Sequence, residues 1–353
     1  MTDDRIENIT IETISISDVT ERQLDMLYEL YVEDFKESYP MLPVSPIETY
    51  RRDIKMTNTQ EVDFNHVAVL HGKIVGFASG TVMKKDADVV DEDLERAWLN
   101  LRVAKNHRRE GIGSKLLMAL LDDAKPFEIK HAYLRANTES GHAFCANFGG
   151  VVTSEGILSH LKLDTKELDK ISYNLEKLDA RSPEVFVTLT ENIPLSQKDE
   201  YHGLIADYFE ELSSFSSDWN FDREQFIGEL KEDEKHREDD NITQITAFAR
   251  DKDGNPIGIS EVWIDPTKPW ELFTFISGVR KDFRSRGICK RMKSMLMLYA
   301  RSRYPEIELV TTANDKDNQV MLRINSDFGF VNSPKSVQYR LDVNSVNEKM
   351  QAH

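Results

Sequence analysis

Two stretches of the chain decide its fold, Leu101-Arg-Val-Ala-Lys-Asn-His-Arg-Arg-Glu-Gly-Ile-Gly-Ser-Lys-Leu-Leu117 and Ser277-Gly-Val-Arg-Lys-Asp-Phe-Arg-Ser-Arg-Gly-Ile-Cys-Lys-Arg-Met-Lys293. When Val103 is aligned with Val279, an Arg-x-x-Gly motif coincides in the two stretches at an offset of 176 residues. The agreement continues downstream through an Ala-Asn pair and a Phe-Gly pair, while the offset drifts only to 180. Motifs that keep their order in this way indicate two tandem copies of one fold.

The predicted order of elements is the same in both copies. A strand is followed by a helix, a hairpin, a further strand that runs into the motif, and a second helix with apolar residues at helical spacing. A length of 353 residues also suits two domains of about 150 residues each. We therefore predict an N-terminal domain over 1–165, a linker helix over 166–183 and a C-terminal domain over 184–353.

The composition excludes several classes of protein. The formal net charge of −17 argues against a nucleic-acid binder, because neutralising phosphates needs clustered Lys and Arg. No run of about 18 uncharged apolar residues occurs and the acidic start has no apolar segment, so neither a membrane span nor a signal peptide is expected. The two cysteines, Cys145 and Cys289, are too few for a disulfide scaffold or a four-cysteine zinc site, and no metal-binding motif is present. Because so few cysteines suit a reducing compartment, a cytoplasmic location is expected.

The repeated motif carries the chemistry of the chain. It reads R-x-x-G-x-G from Arg108 to Gly113 and R-x-x-G-x-C from Arg284 to Cys289, each between a predicted strand and a predicted helix. A glycine turn that opens a helix presents unpaired backbone N–H groups at the positive end of the helix dipole, where phosphates bind. The alternative is an ordinary strand-to-helix connection without a ligand, since a glycine pair alone is weak evidence.

In these features the sequence resembles the GNAT acetyltransferase superfamily, whose acyl-CoA pyrophosphate loop reads [Q/R]-x-x-G-x-[G/A] between a strand and a helix. The resemblance covers nearly all of each copy, and the tandem arrangement is similar to that of mycothiol synthase and other double GNAT proteins. It implies an α/β (α+β) fold of two tandem GNAT domains, each a mixed, mostly antiparallel central sheet flanked by helices. Copy one follows the loop pattern without fault, whereas copy two has Cys289 where the family has a small residue.

The resemblance also implies which residues hold acetyl-CoA. The loop amides would bind the pyrophosphate, the strand ends before the loops would pair with the pantetheine arm, and an Asn after the next strand would face the cofactor or the acetyl group. The residues assigned in this way are Leu101, Arg102, Val103, Arg108, Arg109, Glu110, Gly111, Ile112, Gly113 and Asn137 in copy one, and Ser277, Gly278, Val279, Arg284, Ser285, Arg286, Gly287, Ile288, Cys289 and Asn314 in copy two.

Catalytic candidates are fewer. Many GNAT members use a tyrosine to protonate the leaving thiolate, and the resemblance matches it to Cys145 in copy one and Asn325 in copy two. Cys145 is alternatively a small buried residue. The neutral side chain of Asn325 cannot usefully donate a proton to a thiolate. Glu271 is the first candidate base, because side chains alternate between the two faces of a strand and it therefore shares a face with Phe273, Phe275, Ser277 and Val279. Glu261 is the second candidate. Glu271 is alternatively an exposed carboxylate at the start of a strand.

These features predict an N-acetyltransferase that moves an acetyl group from acetyl-CoA to a primary amine of a small molecule or peptide, by direct attack without an acyl-enzyme. Copy two is favoured as catalytic because its closing helix and Gly-Phe turn match the family and because the resemblance to double GNAT proteins implies that the C-terminal half is the active one. The aromatic stretch Phe215 to Trp219 is a candidate lining of the acceptor pocket. The alternatives are an acyl-CoA-binding protein with one or both copies non-catalytic, and a scaffold that binds no CoA. The sequence leaves the oligomeric state open.

Overall fold

The structure, a computed structural model, describes residues 9–56, 58–85, 87, 91–213 and 221–351. Its strands are β1 (Thr10–Thr13), β2 (Glu61–Leu70), β3 (Lys73–Met83), β4 (Arg96–Val103), β5 (His131–Ala136), β6 (Val151–Lys162), β7 (Phe186–Glu191), β8 (Thr243–Arg250), β9 (Pro256–Ile264), β10 (Glu271–Val279), β11 (Leu309–Asp315) and β12 (Val331–Asp342). Its helices are α1 (Glu21–Ser38), α2 (Ile47–Asp53), α3 (Asp91–Leu94), α4 (Ile112–Ala124), α5 (Glu139–Asn147), α6 (Thr165–Asp179), α7 (Lys198–Ser213), α8 (Arg223–Asp239), α9 (Ile288–Arg303), α10 (Gln319–Phe328) and α11 (Val343–Gln351).

The chain forms two compact units that differ from the continuous domains expected from the sequence. Unit 1 contains the chain up to Glu155 together with the segment from Pro334 onward, and unit 2 contains Gly156–Ser333. Most of β6 therefore belongs to unit 2 and most of β12 to unit 1, so each unit is completed by the last strand of the other copy. The expected boundaries at 1–165, 166–183 and 184–353 do not follow this exchange.

The helix expected as a linker forms as α6, but it is a packed element of unit 2. Asp164 caps its start by accepting a hydrogen bond from the Glu167 backbone N–H. Of its two buried apolar residues, Ile171 and Leu178, Ile171 belongs to the same apolar cluster as Met292 of α9. The apolar spacing that predicted this helix thus reflects burial within a domain and not a connection between domains.

Unit 1 is built on one six-stranded sheet in the order β1-β2-β3-β4-β5-β12. All neighbouring strands are antiparallel except β4 and β5, which are parallel. Helix α4 packs its fully buried Leu116, Leu117 and Leu120 on one face of the sheet. Helix α1 packs Leu24 and Leu27 against the other face. The apolar positions of both helices recur at the spacing of three and four residues that one buried stripe requires.

Unit 2 repeats this plan with the strand order β6-β11-β10-β9-β8-β7, in which β10 and β11 form the parallel pair. Helix α9 covers one face with Met292 and Leu296, and α7 covers the other with Tyr201 and Ile205. The mixed class, the mostly antiparallel sheets and the flanking helices confirm the fold predicted from the sequence.

In each unit the two parallel strands stay together only at their beginnings. In unit 1 the pairing joins Arg96–Leu99 to His131–Leu134, after which β4 continues to Val103 in register with β3. In unit 2 it joins Glu271–Thr274 to Leu309–Thr312, after which β10 continues to Val279 along β9. The carboxyl ends of the parallel strands therefore separate and leave the backbone edge of β4 or β10 open toward the gap.

One face assignment made from the sequence is wrong. The strand register shifts between Thr274 and Ile276, so strict alternation ends there. Phe275 and Ile276 both contact the apolar cluster under α7, whereas Val279 packs with the cluster under α9. Glu271 thus shares a face with Phe275 but not with Val279, because the bulge moves the later residues to the opposite face.

The strand exchange predicts that unit 1 does not fold without the C-terminal segment. A chain that ends at Ser333 loses the pairing of β12 with β5 and the fully buried Leu341 and Val346. Each fully buried apolar side chain contributes about 1.5–3 kcal/mol, out of a typical domain stability of about 5–15 kcal/mol. Limited proteolysis followed by mass spectrometry should degrade the segment before residue 155 while a fragment from unit 2 survives.

A chain that ends at Asp342 is the control, because it keeps β12 and removes only α11. It should protect unit 1 better than the chain that ends at Ser333. Equal protection of unit 1 in both truncated chains and in the full chain would contradict the prediction.

Candidate active site

The motif loop of unit 1 is an open backbone turn at the start of α4. Arg109 and Gly111 adopt left-handed backbone angles, with φ of 68° and 75°, and Gly111 is the residue that caps α4. A side chain built at Gly111 would meet no atom within 4 Å in the described part of the chain. The first N–H groups of α4 therefore face an uncrowded surface, which suits an anion such as a pyrophosphate.

The arginine that opens the motif holds the loop in place. The Arg108 guanidinium donates to the Val103 carbonyl at 3.1 Å and to both carboxylate oxygens of Glu37 at 3.0 and 2.9 Å. It also donates to Ser140 Oγ at 2.9 Å. Hydrogen bonding from Arg108 lowers the pKa of Glu37. Arg284 and Glu211 form the same bidentate pair in unit 2, at 2.8 and 2.6 Å.

A cleft of about 310 Å³ lies where β4 and β5 separate in unit 1. Its walls come from the two strands, the motif loop, α5 and one residue of α1. Of the residues predicted from the sequence, those that line it are Leu101, Arg102, Val103, Arg108, Arg109, Gly111, Gly113 and Cys145. The geometry thus brings most of the copy-one candidates to one site.

Three copy-one candidates lie apart from the lining of this cleft. Ile112 is buried in the core under α4, and Glu110 lies 3.3 Å from the His107 ring nitrogen. Asn137 follows β5, and its buried Oδ1 accepts no hydrogen bond within the described residues.

Cys145 lines the cleft but is poorly suited to protonate a thiolate. Its side chain is 2% exposed, and burial raises the pKa of the thiol to about 11. An ordinary thiol has a pKa of about 8.5, so a proton would move uphill from Cys145 to a leaving thiolate. These properties favour the packing role over the role of an acid.

The carboxylate in the cleft is Asp34 of α1, which the sequence analysis missed. Asp34 Oδ2 lies 3.4 Å from Nε of Arg102, and burial raises the pKa of Asp34 although the charge of Arg102 opposes the shift. A carboxyl group with a raised pKa is a better proton acceptor near neutral pH than an exposed one. Its sequence position, one helical turn before Glu37, gives no recognisable motif.

In unit 2, large side chains crowd the motif: Tyr208 lies beside Gly278, and Leu178 lies beside Gly287, the counterpart of the open Gly111. Tyr208 lies one helical turn before Glu211, as Asp34 does before Glu37, and a side chain at Gly278 would come within 2.6 Å of its ring. Tyr208 also donates to the Ile257 carbonyl at 3.4 Å. Although the loop of unit 2 has the same left-handed glycine, with a φ of 84° at Gly287, a side chain there would meet Leu178 at 2.8 Å. Unit 2 therefore keeps the backbone of the motif but crowds it.

Of the remaining copy-two candidates, Ser285 and Arg286 are exposed on the loop, whereas the others described next are buried or hydrogen-bonded to protein. Asn325 is 1% exposed and its side-chain N–H donates to Asn314 Oδ1 at 2.8 Å, which brings these two candidates together. Ser277 Oγ lies 2.7 Å from Ser260 Oγ. Burial raises the pKa of Cys289, so its thiol stays protonated at neutral pH and offers little nucleophile.

Glu271 lies far from the motif loop. Its carboxylate accepts a hydrogen bond from Thr311 Oγ1 at 2.6 Å and pairs with Lys268 at 3.2 Å. It begins β10, whereas the loop follows the other end at Val279, about 25 Å away at the usual rise of about 3.3 Å per residue. The position and partners of Glu271 favour a structural role.

Glu261, the second candidate base, is fully buried and hydrogen-bonded on both oxygens. Oε1 accepts from Trp263 Nε1 at 2.5 Å and from Tyr201 at 3.2 Å. Oε2 accepts from Gln244 at 2.7 Å and from Thr246 at 3.0 Å. Burial raises the pKa of Glu261 against these bonds. The four donors account for the buried oxygens, which favours a structural carboxylate.

The predicted acceptor lining from Phe215 to Trp219 falls outside the described residues. Next to it in the chain, Phe221 and Phe226 lie with ring centroids 5.3 Å apart, and Phe226 lies 4.7 Å from Phe209.

Comparison with known proteins agrees with the fold. The sequence model of the acetyltransferase (GNAT) family matches residues 24–149 and 206–330, that is, both copies. The chain therefore belongs to the GNAT acetyltransferase family, and it carries two tandem domains of that type. A comparison with curated protein sequences gives no significant match.

Solved structures share the tandem architecture at low sequence identity. A tandem GNAT protein from the clavulanic acid biosynthesis pathway is 17% identical with a TM-score of 0.71, and 95% of this chain and 98% of that chain are covered. A GCN5-related N-acetyltransferase from Sphaerobacter thermophilus is 14% identical with a TM-score of 0.66, and 96% of each chain is covered. At this level of identity the likeness shows the fold alone.

A glucosamine N-acetyltransferase region of a fungal multi-domain β-N-acetylglucosaminidase is 15% identical with a TM-score of 0.64. The match covers 94% of this chain and 38% of that chain.

Within the described residues, no helix of the protein is long and apolar enough to cross a membrane.

The hydrogen bonds of Glu261 predict a large loss of stability on Glu261→Gln. The amide nitrogen would face two donors whichever way it points, which leaves buried polar groups unsatisfied. We expect the free energy of unfolding to fall by about 2–4 kcal/mol, measured by urea denaturation. The matched control is Glu176→Gln on the exposed side of α6, which should change it by less than about 0.5 kcal/mol. Equal values for the two variants would contradict the structural role.

Proposed function

We propose that the protein is an acetyl-CoA-dependent N-acetyltransferase that acts on a primary amine, with unit 1 as the acetyl-CoA-binding and catalytic unit. The observation that carries the proposal is the cleft between β4 and β5, which joins the open Gly111 loop to the Asp34 carboxylate. Family membership supports acyl transfer, and the site supports the choice of donor and the location of the chemistry.

The residues of unit 1 fit acetyl-CoA. A side chain at Gly111 would fill the open turn in front of the first N–H groups of α4, which are suited to the pyrophosphate. The edge of β4 over Asn100–Val103 faces away from β3 into the gap, where an extended amide chain pairs as an added strand would. Arg109, exposed at the loop, adds a positive charge for the phosphates.

Bound acetyl-CoA supplies a thioester carbonyl that an amine attacks, with release of CoA as the thiol. Asp34 accepts the proton that the ammonium group of the acceptor gives up, directly or through water. Arg102 keeps Asp34 at the cleft, so we regard it as a positioning residue. The attacking nitrogen loses a second proton as the amide forms, and a water molecule passes it to the sulfur as the carbon–sulfur bond breaks, since the thiol pKa of about 11 makes Cys145 a poor donor.

This assignment differs from the preference for copy two drawn from the sequence. That preference depended on the closing helix and the Gly-Phe turn of copy two and on the resemblance to double GNAT proteins, none of which concerns the side chains at the loop. The side chains at the loop favour unit 1, because a side chain at Gly111 would meet open space, whereas one at Gly287 would meet Leu178 and one at Gly278 would meet Tyr208.

Unit 2 is the place of a second candidate function. The contact of Leu178 with Gly287 and of Tyr208 with Gly278 favours a copy that retains the fold for structure, or binds acyl-CoA without turnover.

The two free cysteines, one buried and one half-buried, are compatible with the cytoplasmic location that we propose for the protein.

Substitutions at the two loop glycines test which unit binds the donor. Gly111→Asp places a carboxylate against the pyrophosphate, whereas Gly111→Asn has the same size and the same left-handed strain without the charge. We expect the Kd of acetyl-CoA, measured by isothermal calorimetry, to rise at least about tenfold more for Asp than for Asn, as a like charge at a binding site costs over about 1.4 kcal/mol.

The same pair at Gly287 is the matched control, because that glycine has a similar φ of 84°. Both Gly287 variants should keep the Kd within about threefold. A charge-specific loss at Gly287 instead would assign the donor to unit 2. No heat with the wild-type protein at millimolar acetyl-CoA would remove the acetyltransferase proposal.

The role of Asp34 predicts a pH dependence. A base works when deprotonated, so kcat/KM should rise with pH through the raised pKa of Asp34, which lies above the ordinary aspartate value of about 3.9. Asp34→Asn should remove this limb and lower kcat by about 10²–10⁴-fold while the Kd of acetyl-CoA changes little. Asp25→Asn, on the exposed side of the same helix, should leave the profile unchanged. An Asp34→Asn enzyme with a wild-type profile would exclude Asp34 as the base.

A further inference from the structure

We infer that the acceptor is a small amine that also carries an anionic group, as an amino acid does, with its ammonium group at Asp34 and its anion at Arg135. The inference rests on the proposed function and names the substrate class of the same cleft. It is carried by the side chains on the face of unit 1 opposite α4, where Asp34 pairs with Arg102 and the charge of Arg135 has no carboxylate partner within the described residues.

Strand alternation places Arg135 on that face. Leu134 and Ala136, its neighbours on β5, are buried in the core under α4, so the side chain between them points the other way. Arg102 of β4 points to the same side, because its guanidinium meets Asp34 of α1 and lies 5.6 Å from the ring centre of Tyr31. Arg135 and Asp34 both line the cleft.

Arg135 also lies at the point where the strands separate. The last residues that pair β4 with β5 are Leu99 and Leu134, and Arg135 is the next residue along β5. The motif loop with Arg109 lies beyond the far end of β4, after Val103. Arg135 is therefore placed at the apex of the gap and away from the loop that suits the phosphates.

Apart from Arg109 on the loop, the other charged side chains described in the cleft are paired, so the Arg135 guanidinium is the one available to a ligand at the apex of the gap. Arg108 is held by Glu37, Arg102 pairs with Asp34, and His107 lies beside Glu110. Arg135 is exposed, and no carboxylate within the described residues lies within 4.0 Å of it. Arginine binds carboxylate and phosphate groups through two parallel hydrogen bonds, which makes an anionic group its natural ligand.

Tyr39 follows α1, and burial raises the pKa of its phenol, while a hydrogen bond with Ser336 and then the charge of Arg135 lower it and the charge of Asp34 raises it slightly. Asp34 and Arg135 line the same cleft of about 310 Å³. One small molecule can then bring a cation to Asp34 and an anion to Arg135, which a simple alkylamine cannot do.

The test compares each acceptor with its neutral partner. Acetylation by the full-length protein is measured for the twenty amino acids, β-alanine and glucosamine 6-phosphate, each against the same amine without the anion: the amino acid amides, β-alaninamide and glucosamine. We expect at least one anionic amine to exceed its neutral partner in kcat/KM by about 10- to 100-fold, the usual effect of a charge-assisted bidentate contact.

Arg135 variants then assign the preference to this residue. Arg135→Ala should reduce the ratio of the two kcat/KM values to about onefold by raising KM for the anionic amine, while Arg135→Lys should keep part of the ratio. Calorimetry in the presence of CoA gives a readout without turnover, since the anionic amine should bind the wild type about tenfold more tightly than Arg135→Ala. The Kd of acetyl-CoA should be the same in all three proteins.

The outcomes separate this inference from the proposed function. If acetyl-CoA binds but neutral amines are acetylated as well as anionic ones, or no member of the panel is acetylated, the substrate class is overturned and the donor site stands. If Arg135→Ala keeps the preference, the anion site lies elsewhere and the inference fails. If acetyl-CoA does not bind the wild type, the proposed function itself fails.

Discussion

The bidentate pair between Arg108 and Glu37 is the interaction on which the site of unit 1 depends. Through it and two further hydrogen bonds, one side chain joins the end of β4, helix α1 and the start of α5 around the motif loop. Such bidentate, charge-assisted bonds fix orientation as well as distance. Because α1 is held in this way, Asp34, one turn earlier, is placed at the cleft.

Unit 2 shows that this pair shapes a loop without creating an open site. Arg284 and Glu211 repeat the pair, and the loop has the same left-handed residues, yet Tyr208 and Leu178 lie where unit 1 is open. A duplicated motif therefore preserves the backbone while its surroundings diverge. The distinction matters because the loop alone, with its helix dipole and free N–H groups, is common to both units.

Much of the fold could be predicted from the sequence because glycine and apolar spacing have strong local causes. The left-handed turn at Gly111 needs glycine, and the buried stripe of α4 needs its leucines at helical spacing. Asp34 could not be found in this way, because only the tertiary fold brings α1 to the strand end. The bulge after Thr274 likewise leaves no mark in the residue pattern, so the face of Val279 was assigned incorrectly.

The exchange of β6 and β12 could not be predicted either, since an edge strand pairs with whichever open edge the tertiary fold presents. As a consequence, unit 1 cannot be completed until the ribosome has also made unit 2, because the last segment of unit 1 follows unit 2 in the chain. Unit 2 is complete at Ser333, but unit 1 must wait for the strand and helix that follow, including the buried Leu341. A chain that lost copy two would also lose the segment that closes unit 1. The retention of unit 2, even with a crowded loop, then follows from the stability of unit 1 and requires no second catalytic site.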